Sequence, residues 1–197
     1  MRGLLALSRF LDGVNTVVGR SVSWVILIVV IVSATNAVFR KAFDMSSNAW
    51  LELQWYMFGA IFLLASGYTL LKNGHVRVDI INARLSERTQ VKIDIFGILV
   101  LFLPVCIYIL LLSVPQAVDS YLLHETSSNA GGLIRWPVKA LIPVGFLLLS
   151  AAGVSHLIKC VGFLAGQCPN PNRPEGSKTA EERLADEIAA NAQAKTK

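Results

Sequence analysis

The chain has 197 residues, of which 54% are hydrophobic and only 16% charged, with a mean hydropathy of +0.56. Soluble domains carry about a quarter charged residues, so a water-soluble globular domain is excluded. The net charge of +5 comes with no basic face interleaved with aromatics, which points to anionic lipid headgroups and away from nucleic acid.

In residues 1–20, Leu4, Leu7, Leu11, Val14 and Val18 recur at three- and four-residue steps, with Arg2, Arg9 and Asp12 elsewhere. This spacing predicts an amphipathic helix lying in the inner interface. A cytoplasmic continuation of the first span is the alternative. Asp12 and Arg20 precede the long apolar run, whose far end is Phe39-Arg40-Lys41, so a cleavable signal peptide is not expected.

Four windows lack charge: Ser21–Phe39, Leu53–Leu71, Ile95–Val114 and Ala140–Leu157. Each holds about 20 residues, enough at 1.5 Å per residue to cross a hydrocarbon core of roughly 30 Å. Backbone amides in lipid must be satisfied within the segment, so the windows read as helices. The expected fold is an all-α integral membrane protein with four transmembrane helices, at about 21–39, 50–71, 93–114 and 138–160, in a membrane domain over 21–165.

The connections orient it. Arg2, Arg9, Arg20, Lys72, Arg77, Arg84, Arg88, Lys92 and Lys159 fall on one side, and only Arg40, Lys41, Arg135 and Lys139 on the other. By the positive-inside rule both termini are cytoplasmic. Ser47 or Asn48 suits the cap of the second helix, with Glu52 in its first turn beside the positive dipole end. Trp50, Trp55 and Tyr56 belong at the lipid headgroups. Ser86-Glu87 looks like the start of the third helix, Pro104 its kink and Pro115 its end.

In the second outer loop Gly131-Gly132 allows a turn, and His124 is solvated. Trp136 marks the interface, and Pro137 suits the first position of the last helix. Ser150-Ala151-Ala152-Gly153 is a small-residue patch where another helix can approach, and Gly162 with Gly166 a weaker one. Cys106, Cys160 and Cys168 have no C-x-x-C spacing and read as free thiols. Residues 166–197, with three prolines and mixed charge, read as a disordered cytoplasmic tail. Within it Thr179 and Glu182 form a capping box for a transient helix.

The central turns of the four spans hold no ionisable side chain, although ion pathways and substrate sites usually place one at that depth. Three readings follow: a non-conducting subunit of a larger permease, an autonomous four-helix antiporter, or a haem- or quinone-binding anchor. The antiporter needs an embedded carboxylate, and Glu52 at a helix mouth is a poor one. The anchor would use His75 and His156, which have no fixed spacing. No nucleophile–base pair marks an enzyme, and no metal or other cofactor is expected.

The segments "ELQWYMFGAIFLLASGYTLLKNGHVRVDI" (52–80) and "LHETSSNAGGLIRWPVKALIPVGFLLLSAAG" (123–153) resemble the small membrane subunit of tripartite ATP-independent periplasmic (TRAP) transporters. The second contains an E-x-S element at Glu125–Ser127 and W-x-x-K at Trp136–Lys139. The resemblance covers roughly residues 15–165. It implies a bacterial inner-membrane protein beside a large permease that moves an organic acid by a sodium-driven, elevator-like motion. A periplasmic binding protein would deliver the substrate, touching this chain transiently and mainly through the large subunit. "QWYMFG" and "HVRVDI" look closer to branches assigned to keto acids, mannitol or chloroaromatic acids than to sialic acid systems.

Against that background His75, Arg77 and Asp79 alternate with Val76, Val78 and Ile80. If extended, the segment lays its valine edge on the bundle and offers its polar edge to the large subunit. A solvated loop with an internal Arg77–Asp79 pair is the alternative, worth under about 1 kcal/mol. Glu52 and Pro104 join these three as candidates for the partner interface. In the outer loop the candidates are Glu125, Ser127, Trp136 and Lys139. A Glu125–Lys139 pair within the chain is the simpler reading, contact with the binding protein the other.

Overall fold

A computed structural model describes residues 2–44, 47–72 and 85–172. Among the described residues the helices are α1 (Arg2–Ala42), α2 (Asn48–Leu71), α3 (Glu87–Leu122) and α4 (Trp136–Leu164). Among the described residues α1, α3 and α4 are long and apolar enough to cross a membrane. In α2 the apolar run is diluted by Gln54, Tyr56, Ser66, Tyr68 and Thr69.

The packing is centred on α4, which touches all three other helices; α1 and α2 also pack on each other, while α3 packs chiefly on α4. The buried face of α4 is built from Gly145, Ser150, Ala152, Gly153, Ser155 and Gly162 among others. Small side chains let helix backbones approach closely, which is how membrane helices gain contact without a hydrophobic driving force. A Cβ at Gly145 would stand 2.7 Å from Leu63 Cβ of α2, and one at Gly153 would stand 2.5 Å from Phe102 Cε1 of α3. The small-residue patch is thus occupied by α3 of the same chain.

Helix α3 starts at Ser86, whose side chain accepts from the Thr89 amide. It passes through a π turn at Ile98–Phe102, where the Leu103 amide reaches back to the Ile98 carbonyl. Pro104 follows. Its ring crowds the carbonyl four residues back and it has no N–H to offer, and a π turn absorbs both defects without ending the helix. Pro115 does not end α3 as the sequence suggested. It lies inside the helix, which continues to Leu122, since one missing hydrogen bond is tolerated when the flanking turns remain intact.

Helix α1 is unbroken, and the face that packs is not the apolar stripe. Leu4, Leu7 and Val14 are exposed, while Ser8, Asn15, Val22 and Val29 are buried, each seven residues after the last. The Ser8 and Ser155 hydroxyls lie 2.7 Å apart, and Ser155 Oγ donates to Asp12 Oδ1 at 2.5 Å. Lys159 Nζ is 2.5 Å from Asp12 Oδ2. Further along, the Asn15 side chain fills the space that a Cβ on Gly67 would need, beside the Leu148 carbonyl. Polar groups face the helix partner here and apolar ones face outward, the reverse of a soluble bundle, because lipid rewards no polar exposure.

At its far end α4 closes in a Schellman turn. Gly166 adopts φ +70°, and the Gln167 amide donates to the Gly162 carbonyl at 2.9 Å. Residues 167–172, assigned to the tail from sequence, then cross to α3. Asn170 Nδ2 donates to Glu87 Oε2 at 3.4 Å, and Asn172 Nδ2 donates to Asp94 Oδ2. Thr179, Glu182 and the rest of the expected tail lie outside the described residues.

Candidate functional site

The loop between α3 and α4 is ordered by its own backbone. Thr126 and Ile134 form an antiparallel bridge, with Ser127 N–H donating to the Leu133 carbonyl and Arg135 N–H to the Glu125 carbonyl, both at 2.9 Å. Gly131 turns the chain at φ +70°, a conformation glycine adopts without a Cβ penalty. At the start of the loop His124 takes φ +47°, and its ring rests 6.5 Å from Tyr121.

Two carboxylates fasten this hairpin to the bundle. Glu52 is buried at 5% exposure. Its Oε1 accepts from Ser127 Oγ and from Asn129 Nδ2 (2.8 Å), and its Oε2 accepts from the Leu133 amide (2.7 Å). Glu52 sits one turn deeper than expected, since no acid occupies the first turn of α2. Its partners are loop donors. The cap of α2 also differs: Ser47 makes no side-chain cap bond, and Asn48 Nδ2 donates instead to the Ala130 carbonyl at 3.0 Å.

Glu125 forms the second tie. Its Oε2 accepts from Lys139 Nζ, and Arg135 Nη1 lies 3.6 Å from its Oε1. The Lys139 hydrogen bond and the two nearby cations hold the Glu125 carboxyl below the usual carboxylate range. A depressed folded-state value means this tie is present above the ordinary carboxylate pKa and fades as pH falls through the lower one.

Among the sequence candidates, the structure therefore brings Glu52 to Ser127 and Glu125 to Lys139. Trp136 stacks edge-on against Tyr121, centroids 5.4 Å apart. Trp50 and Trp55 are exposed, and Tyr56 lines a pocket beside Glu52. Pro104 follows the π turn, remote from the loop. His75, Arg77 and Asp79 lie outside the described residues. Asn129, the Leu133 amide and Arg135 were missed; Ser127 and Asn129 two apart, before a Gly-Gly turn, were the available sign. The cluster of Ser8, Asp12, Ser155 and Lys159 was also missed, although Ser8 and Asn15 one heptad apart could have marked the packing face.

Nothing in this arrangement is poised for chemistry. All three donors around Glu52 belong to the loop, so the carboxylate is a structural acceptor. Among the described residues no group of three or more His, Cys, Asp or Glu is placed to hold a metal ion. Long apolar helices packed through small residues, with a loop strapped across one end, define a multi-pass membrane protein built for assembly.

Residues 28–162 match the family of tripartite ATP-independent periplasmic transporters, DctQ component. The chain belongs to that family. It is the small, non-catalytic membrane component of a TRAP transporter in the inner membrane, and its partner is the large permease subunit. No curated protein matches the chain, and no solved structure does.

Proposed function

We propose that the chain is the non-conducting scaffold of a sodium-coupled importer of an organic acid, fed by a periplasmic binding protein and bracing the large permease. In this reading α2 is a fourth span and both termini are cytoplasmic. The hairpin at residues 123–135 then faces the periplasm. The observation that carries the reading is the close packing of α4 on its neighbours through Gly145, Gly153 and Ser155, which leaves a solute no path along those seams. The engagement of Glu52 by three loop donors argues against the antiporter, since a proton-exchanging acid must be free to release its partners.

His75, Arg77 and Asp79 are proposed as part of the contact with the large subunit. The test is reconstitution. Liposomes holding the large permease, this chain and the binding protein should take up organic acid on a sodium gradient, and liposomes holding this chain alone should not. Uptake by the chain alone would overturn the scaffold reading. Arg77→Ala and Asp79→Ala should each lower recovery of the large subunit at unchanged membrane insertion, and full recovery with both would remove the docking role.

A further inference from the structure

The hairpin, α2 and α4 line an open pocket of about 280 Å³ whose lining is graded. Trp55, Tyr56 and Val138 form an apolar wall, and Arg135, Lys139 and Glu52 lie on the charged side. We propose that this pocket binds one glycerophospholipid, its phosphate on Arg135 and its glycerol end along Trp55, Tyr56 and Val138.

The argument rests on three features. The first is unspent hydrogen-bonding capacity. Arg135 meets Glu125 only at 3.6 Å and keeps 40% of its side chain exposed, so most of its five N–H donors are available to a phosphate, which a guanidinium grips bidentately. The second is charge balance. Among the lining residues Glu52 offsets one of the two cations, Arg135 and Lys139, which leaves a net positive charge for a phosphate. A simple anion would have no use for the aromatic wall, and a purely apolar ligand none for the guanidinium.

The third is depth. Trp50, Trp55 and Trp136 are 45%, 69% and 38% exposed around the same end of the bundle, and exposed tryptophans concentrate at the headgroup level of a bilayer. The pocket mouth therefore opens where phospholipid headgroups are. This holds whichever leaflet the hairpin faces, so the inference stands apart from the proposed orientation and from the scaffold role.

The test is native mass spectrometry of the full chain in detergent, titrated with phosphatidylethanolamine. One lipid per chain should be retained. Arg135→Gln and Trp55→Ala should each weaken retention about tenfold, the scale of one charge-assisted hydrogen bond or one aromatic contact. Arg135→Lys should restore part of it, and Arg40→Gln, a cation at the end of α1, should change nothing. Equal retention in all variants would overturn the site, as would equal loss in Arg40→Gln. Displacement by millimolar inorganic phosphate would reduce it to a simple anion site. Equal retention of diacylglycerol, which has no phosphate, would remove the assignment of the phosphate to Arg135. Loss of the lipid on assembly with the large permease would give the pocket to a protein segment.

Discussion

Glu52 carries more of the loop's order than its sequence position suggests. An acid near a helix N-terminus is ordinarily explained by the dipole alone, worth about 0.3–1 kcal/mol. Three loop donors converging on one buried carboxylate are a different matter, because each loses its acceptor if the carboxylate goes. Glu52→Ala should therefore loosen the hairpin without unfolding the bundle, whose seams are elsewhere. The measurement is amide hydrogen exchange at Leu133, which should quicken about tenfold, the net worth of one hydrogen bond. Unchanged exchange at Leu133, with its amide donating to Glu52 Oε2 in the wild type, would mean that the hairpin's backbone bonds suffice alone. The sequence could name Glu52, Ser127, Glu125 and Lys139 because polar residues stand out in an apolar chain. It could not join Glu52 to Ser127, since contacts 75 residues apart depend on how α2, α3 and α4 come together.

The helices were legible from their charge-free windows, and their interruptions were not. Pro104 and Pro115 look alike in sequence, yet one follows a π turn and the other sits in an unbroken helix. Side-chain packing distinguishes them. The π turn places Phe102 over Gly153, so the extra residue turns a large ring into the gap that the small-residue patch leaves. Position 153 should accordingly tolerate little. Gly153→Leu must displace Phe102 and part the α3–α4 seam, at a cost of about 1–3 kcal/mol for an overpacked interior. Gly97, one residue before the π turn, has nothing within 4 Å of where a Cβ would be, and Gly97→Leu should leave the helix pair intact. Thermal melts in detergent separate the two: a marked fall for the first and little change for the second. Equal effects would mean that α3 is held by its backbone path and not by the Phe102–Gly153 contact.

At the scale of the molecule the instructive element is α1. The sequence allows either an interfacial helix or a continuation of the first span, and the structure has one unbroken helix, clasped to α4 by Ser8 and Asp12. Periodicity found Leu4, Leu7 and Val14 of the exposed stripe, while Leu11 and Val18 are half-buried and Phe10 and Val17 take their place. It could not say which face packs, because in lipid the usual inside-out rule for apolar residues no longer applies. The length of α1 then sets a problem. Its 41 residues make a rod of about 60 Å, roughly twice the hydrocarbon thickness, and Leu4, Leu7, Phe10, Val14 and Val17 are exposed along its first half. The Ser8–Ser155 and Asp12–Lys159 contacts prevent that half from swinging away to lie flat without breaking them. A surface of that kind is best covered by protein, and in a family whose small component works beside a large permease the natural cover is that subunit. Single cysteines at Leu4, Phe10 and Val17, in a background with Cys168→Ser, should react with a soluble maleimide in the isolated chain. They should become protected when the large subunit is bound. Ser8→Cys, on the inward face, should react in neither state. Labelling that does not change on assembly would assign the stripe to lipid and move the permease contact to another helix, with α3, packed chiefly on α4, the next to examine.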